Sequence, residues 1–430
     1  MRHHSDSIGR RVSGISFVFF VFVPLSLGYL LSYLFRTINA ALAPYLAADF
    51  GLTASSLGLL TSTYLLAFGL MQVPLGLMID RFGVRRVQGV NLLVTAAGSA
   101  LFALADTLGL LMVARAMIGA GVAVSLMASF TSFIIWLPPQ RVPLAIGLLM
   151  GFGGLGAMLA GAPVEFLMET VGWRTIFMGL ALATFAVSIA VLLLLPDSPR
   201  QASSWSRLLS GLADIYTTRL FWRIVPLAIL TCGTAFALQG LWAGLWLADV
   251  AGFEQGQVAA YLSIMAFGLL VGSIACGPMA SLSRRWGLSL VHLVGALALV
   301  FFVVLALLSA GLTDLALPCW FLVGFLINPM SLTYVVLAQS FSPDMAGRVN
   351  TGINVLVILG SFLLQAAIGW GLDFWDTDGA GRYPEQAYAT AFGILTVMGL
   401  VALVWYWCGG DRATPGSGGE RPASLRQDTA

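Results

Sequence analysis

Apolar runs of about twenty residues or more alternate along this chain with short breaks of charged, glycine and proline residues. Twelve such runs can be traced, at 15–47, 56–78, 87–105, 109–135, 143–168, 174–195, 222–248, 257–281, 288–311, 315–340, 346–372 and 387–408. A helix of this length crosses a hydrocarbon core of ~30 Å. Only backbone that closes its own hydrogen bonds is tolerated there. The pattern predicts an all-α membrane protein with twelve transmembrane helices. The first run is too long for the core of a signal peptide and is expected to remain as a span.

Composition agrees. Apolar residues make up 59% and charged residues 9% of the 430 positions, whereas a soluble domain carries about 25% charge. The excess excludes an ordinary soluble core. Cys232, Cys276, Cys319 and Cys408 lie inside or at the ends of apolar segments and lack the short paired spacing of a metal or redox site. The histidines form no cluster. No metal, no cofactor and no nucleic acid is expected as a partner; the partners implied are the lipid bilayer and a small-molecule solute. The chain carries no ATP-binding P-loop.

All 21 basic residues are arginine, and their placement orients the chain. On the twelve-span topology seventeen fall on one side, Arg174 and Arg382 fall on the other, and Arg36 and Arg115 lie within spans. The opposite side carries Asp49, Asp106, Asp249, Glu254, Asp314 and Asp373, among others. Basic loops stay cytoplasmic, so both termini are expected inside, in the cytoplasmic (inner) membrane. A shift of one helix would scramble this asymmetry.

Between the second and third runs stands Gly76-Leu-Met-Ile-Asp80-Arg81-Phe-Gly83-Val-Arg85-Arg86, a charged tight turn. Gly277-Pro-Met-Ala-Ser281-Leu-Ser-Arg284-Arg285-Trp-Gly287 repeats it in weakened form, with the same offset at Gly76/Gly277 and Asp80/Ser281. The expected organisation is a cytoplasmic terminus at 1–14, a six-helix bundle at 15–196, a polar linker at 197–221, a second bundle at 222–408 and a disordered tail at 409–430.

The hairpin resembles the loop between the second and third helices of the major facilitator superfamily of solute transporters. Arg115-Ala-Met-Ile-Gly119-Ala-Gly121 resembles that family's R-x-x-x-G-x-G signature in the fourth span, and Gly172-Trp173-Arg174 followed by Ile176-Phe177 resembles the turn before its sixth helix. The resemblance runs from about Ile15 to Cys408. It implies a monomeric secondary transporter of two pseudo-symmetric six-helix bundles, with a solute site near the midplane exposed to each side in turn. It also implies that Gly76, Asp80, Arg81, Gly83, Arg85 and Arg86, with Arg115, govern conformational change instead of touching solute. In relatives the aspartate and its basic neighbours hold the cytoplasmic ends of the bundles together in the outward-open state. Ser281 replaces the aspartate in the second half, so that latch should be one-sided.

The first-helix stretch from Tyr33 to Leu46 resembles that of the organophosphate:phosphate antiporter branch, where the residue matching Arg36 contacts the anionic substrate. The branch's second arginine has no counterpart between Pro226 and Val250. This speaks against phosphate-ester exchange and leaves a carboxylate or another anion.

Polar groups in mid-membrane are the candidate site. A lone arginine there costs about 3 kcal/mol or more, and Tyr33, Arg36 and Asn39 share one helix face. Arg36 either contacts solute or pairs internally with a helix end or a backbone carbonyl. Gln239 and Trp242 share a face of the seventh span and could stack on and orient a solute; Trp246 fits the interfacial tryptophan belt better. Asn328 and Tyr334 on the tenth span complete the set of binding candidates. Asn350, Asn354 and Gln365, with Gln72 and Tyr64, read as hydrogen bonds between helices. Glu165, near the outer end of its span, is the main candidate for a coupling proton, while His292 at the inner end reads as structural. Proton symport, proton antiport and facilitated diffusion all stay open. So does the solute: organic acids, sialic-acid-like sugars, siderophores, nucleoside-like compounds and flavins all suit arginine beside aromatics. Efflux of drugs or metabolites is the alternative within transport, although the first helix lacks the acidic residue frequent in proton-driven exporters. No nucleophile, metal cluster or acid–base pair points to a membrane-embedded enzyme, and no soluble signalling domain points to a receptor.

Overall fold

The structure is a computed structural model that describes residues 14–197, 215–341, 345–379 and 381–408. It contains twelve helices long and apolar enough to cross a membrane: α1 Ile15–Thr37, α2 Ala54–Phe82, α3 Val84–Leu104, α4 Leu108–Trp136, α5 Val142–Leu159, α6 Ala162–Leu194, α7 Arg219–Asp249, α8 Gln255–Arg285, α9 Leu290–Ser309, α10 Thr313–Ala338, α11 Gly347–Leu372 and α12 Glu385–Cys408. There is no strand among the described residues. The all-α architecture read from the hydropathy pattern is the one observed. The expected terminus at 1–14 apart from Gly14, most of the linker and the tail from 409 lie outside the described residues.

Local chemistry starts and stops these helices. Thr53, Thr107 and Ser289 each accept a hydrogen bond from the backbone N–H three residues on, at the heads of α2, α4 and α9. Glu254 and Gln257 form a reciprocal capping box at the head of α8. Gly83 (φ 81°) ends α2 inside the charged hairpin, in a backbone conformation that a side chain would resist.

Several spans are interrupted. α1 breaks at Ile38 and resumes over Asn39–Phe50. Near Gly161 (φ −89°, ψ −120°) α5 gives way to α6, and α6 contains Gly172 at φ 75°, ψ 157°. Residues 162–171 thus carry α5 onward, and Gly172 turns the chain back. Beyond the turn, Trp173 Nε1 donates to Asp49 Oδ2 at 2.8 Å and Arg174 Nη1 lies 3.5 Å from the same oxygen.

Close helix approach depends on small residues. A Cβ at Gly119 would collide with the Tyr64 carbonyl and one at Gly121 with Thr95, which gives the R-x-x-x-G-x-G segment its packing role.

The halves meet along α2 against α11 and α5 against α8. On α5 and its extension, a Cβ at Gly161 would lie 2.5 Å from Ser263 Oγ, at Gly154 3.1 Å from Leu270, and at Gly151 4.0 Å from Leu270; at Gly147 it would meet nothing within 4 Å. The other seam behaves alike. A Cβ at Gly369 would stand 2.5 Å from the Ala54 carbonyl and one at Gly69 3.0 Å from Ile358, whereas one at Gly76 meets only Met127 of its own half. Both seams are shut at the end bearing Asp49, Asp249 and Asp373 and spread apart at the end bearing the arginine hairpins.

Candidate functional site

Arg36 occupies the last turn of α1 before the Ile38 break and is only 9% exposed. Its guanidinium carbon stands 5.1 Å from the ring centroid of Tyr33, 5.0 Å from that of Phe68 on α2 and 5.0 Å from that of Phe236 on α7. Rings at this range attract a cation through their quadrupoles. Because Phe236 belongs to the second half, the cage spans the seam. No carboxylate pairs with Arg36 among the described residues, and its Nε has no hydrogen-bond partner. The internal pairing weighed from sequence, to a helix end or backbone carbonyl, is not found there. Tyr64 lies beside the guanidinium, and Arg36 is among the charged neighbours of Tyr334. Tyr334 Oη donates to Asn354 Oδ1 at 3.2 Å, joining α10 to α11.

Gln239 sits in a π-helical turn of α7, Leu238–Trp242. It is 4% exposed, and neither its Oε1 nor its Nε2 has a partner. Its side chain lines a small cavity with Thr37, Ala40, Gly161, Leu262 and Met265, so the cavity draws on both halves. Asn39, 2% exposed, also keeps an unpartnered Oδ1. Leaving a buried polar atom unpaired costs about 1–3 kcal/mol, so these amides are poised to meet an incoming polar group.

Two binding candidates are engaged elsewhere. Trp242 is fully buried in the seal, where its Nε1 donates to the Gln365 carbonyl at 3.1 Å. Asn328 donates through Nδ2 to Ser273 Oγ, and its carbonyl accepts from Ser331 Oγ at 2.5 Å, so it ties the break in α10 to α8. Trp246, expected in the interfacial belt, is instead fully buried against Trp320 at 5.6 Å. The physical reason is the position of α7, the most enclosed of the twelve spans, with 78% of its core window buried.

The hydrogen-bonding residues connect helices. Gln365 Nε2 reaches Thr61 Oγ1 at 2.5 Å across the seam, Gln72 Nε2 donates to the Ala123 carbonyl at 3.3 Å where α4 breaks, and Tyr64 Oη donates to the Ser32 carbonyl at 3.2 Å. Asn350 is exposed. Arg115 is fully buried; its Nη1 donates to the Phe35 carbonyl at 3.2 Å, and its guanidinium faces the rings of Tyr64 and Phe102 at 5.4 and 5.8 Å. It braces the break in α1 one residue from Arg36.

The hairpin residues lie at the open end, apart from the cage. Arg85 pairs with Asp197 at 3.1 Å, Arg81 lies over Phe82 at 5.4 Å, Arg86 is exposed, and Asp80 has neither an ion pair nor a hydrogen bond among the described residues. Glu165 is 3% exposed near the sealed end. Its Oε1 accepts from Tyr45 Oη at 2.6 Å and its Oε2 has no partner. No group of residues suited to hold a metal occurs among the described residues.

Sequence reasoning missed Phe68, Phe236 and Tyr45. Phe68 follows Tyr64 by four residues and Phe236 precedes Gln239 by three, so helical spacing from a polar neighbour was the available signal.

Twelve apolar helices in two halves, closing on a buried arginine and unpaired amides, define a multi-pass membrane protein. Residues 25–365 match the model of the Major Facilitator Superfamily, and the chain belongs to that family. It is 27% identical to a probable sulfoacetate transporter of Cupriavidus necator over 179 residues, 42% of each chain, so less than half of that relative is matched. It is 25% identical to the hexuronate transporter of Escherichia coli K12 over 297 residues, 64% of this chain and 68% of that one. Among solved structures, a bacterial homologue of the human lysosomal transporter Spinster, in an inward-facing and unoccupied conformation, superposes with a TM-score of 0.70 at 17% identity, covering 90% of this chain and 95% of that one.

Proposed function

We propose that the protein carries a small organic anion, a carboxylate or sulfonate, across the cytoplasmic membrane by alternating access, with Arg36 as the contact for the anionic group. One observation carries this reading: Arg36 is buried without an acidic partner inside a ring cage drawn from both halves. A buried cation with no counter-ion is electrostatically incomplete, and an anion that supplies the missing charge would be held where the halves converge. The sulfoacetate and hexuronate transporters among the relatives are named for anionic solutes. Tyr33, Asn39, Gln239 and Tyr334 offer the neutral polar contacts. Trp242 would contribute only after the seal rearranges, and Asn328 only after it leaves Ser273.

Arginine-rich loops stay in the cytoplasm, which puts both termini inside and makes the conformation described here inward-facing. The transporter acts as a monomer, and the Asp80 hairpin, with Arg81, Arg85, Arg86 and Arg115, governs the exchange of conformations. Glu165 is the group assigned to a coupling proton.

The test is purified protein in liposomes, given a panel of labelled organic acids, sulfonates and uncharged analogues, with and without a pH gradient. A hydrogen bond to a charged group contributes about 1.5–3 kcal/mol, so Arg36→Ala should weaken affinity for the charged solute by roughly ten- to a hundredfold. Uncharged analogues transported as well as the acids, or an affinity that Arg36→Ala leaves unchanged, would end the anion reading.

A further inference from the structure

The head of α2 is held by the opposite half of the molecule. Of its first three backbone amides, only that of Ser56 is satisfied locally, by Thr53 Oγ1 at 3.4 Å. The Ala54 amide donates to Tyr383 Oη at 3.0 Å and the Ser55 amide to Asp373 Oδ2 at 3.2 Å. Tyr383 Oη in turn donates to Asp373 Oδ1 at 2.6 Å, and the Tyr383 amide donates to Asp249 Oδ2 at 3.3 Å. Tyr388 Oη also donates to Asp249 Oδ2, at 2.7 Å, so the loop between α11 and α12 is fixed to the end of α7. Nothing else could fit between the partners at this point, because a Cβ at Gly369 would already stand 2.5 Å from the Ala54 carbonyl.

The protonation states suit the contact. Burial pushes the Asp373 carboxyl up, but hydrogen bonds from Ser55, Tyr383 and Thr53 outweigh it and leave the group below the usual carboxylate value. Burial, followed by the hydrogen bond to Asp373, pushes the Tyr383 hydroxyl up to about 12, so it stays a donor. A helix N-terminus carries roughly half a positive charge, and a carboxylate placed on it is stabilising. Here the carboxylate belongs to the other half, so the stabilisation exists only while this end is shut.

α2 and α11 run antiparallel along the seam, which inverts the arrangement at the far end. There Asp80 closes α2 beside the end at which α11 begins, and in this open arrangement it has no partner among the described residues. We infer that Asp373 and Tyr383 form a second latch, which closes the acidic end by capping α2 across the seam and alternates with the latch assigned to Asp80 at the arginine end. Each carboxylate stands at the C-terminal end of one seam helix, Asp80 in the last turn of α2 and Asp373 just after α11, and seats on the N-terminal end of the other. Only one of the two contacts is made at a time. The inference concerns the gate and does not depend on which solute is carried.

Spin labels on Asp106→Cys and Asp314→Cys report it, since both sites are exposed at the acidic end, one in each half. The four native cysteines are replaced, and label separations are read by pulsed electron resonance in lipid. Asp373→Asn and Tyr383→Phe are each expected to raise the ratio of long to short separations, Asp373→Asn by about three- to tenfold. Asp80→Asn should move the ratio the other way. Both variants keep the side-chain shape, and two independent substitutions guard against one that fails to fold. Unchanged ratios in whichever variants fold, or an Asp80→Asn shift in the same direction as Asp373→Asn, overturn the inference.

Discussion

Arg36 and Gln239 are incomplete in opposite ways. Among the described residues, the arginine lacks a charge opposite its own, and the amide lacks neutral partners for two buried atoms. Removing the amide should therefore stabilise the protein without solute while weakening its hold on solute. Gln239→Leu fills similar volume without polar atoms, so its melting temperature in detergent should rise by a few degrees. Its affinity for the transported solute should fall by roughly tenfold, as one neutral hydrogen bond is worth about 1 kcal/mol and the solute's own polar group is left unpaired. A variant that melts earlier and binds normally would assign Gln239 to packing. The arginine was legible in the sequence because a charge inside an apolar run is conspicuous. Its cage was not. Phe68 and Phe236 are apolar residues in apolar helices, and only the approach of α2 and α7 to α1 gives them a role. Trp246 failed for the same reason, since depth along a helix predicts an interfacial belt only if that helix faces lipid.

Among the helices, glycine spacing records how the seams open. A Cβ at Gly161 or Gly369 would press within 2.5 Å of an oxygen in the other half, while one at Gly147 meets nothing within 4 Å. Overpacking of this kind typically costs about 1–3 kcal/mol, and here the cost falls only on the state in which the acidic end is shut. Gly369→Ala should therefore depopulate that state and slow net transport by about tenfold, whereas Gly147→Ala should transport like the parent chain. Initial uptake rates in liposomes decide the matter, and equal rates for the two variants would mean that the seam tightens by other contacts. Helix number and order were legible because charged breaks interrupt every apolar run. The exact place of the break after the fifth helix was less plain. Ala160, Gly161 and Ala162 read as uninterrupted apolar sequence, yet the chain bends there and Ser263 of α8 accepts the freed Ala162 amide at 3.1 Å. The partner that makes the bend tolerable lies in the other half of the chain.

For the molecule as a whole, the sequence announces the duplicated architecture without saying which end is shut. That asymmetry bears on the proposed coupling proton. Glu165 is the only buried carboxylate among the described residues, and it lies near the sealed end with one oxygen held by Tyr45 at 2.6 Å. Opening that end would bring water to it, and closing it would cut the water off, so its access alternates with the gate. A proton bound there could accompany solute in one conformational exchange, because a buried carboxyl is favoured in its neutral form. Glu165→Gln mimics that neutral form permanently. It should abolish accumulation driven by a pH gradient while leaving solute-for-solute exchange within about twofold of the parent, since exchange needs the gate but no proton. Tyr45→Phe, which removes the hydrogen bond alone, should shift the pH dependence of uptake without abolishing it. Gradient-driven accumulation that survives in Glu165→Gln would leave the protein either uncoupled from protons at this site or driven by exchange of one anion for another.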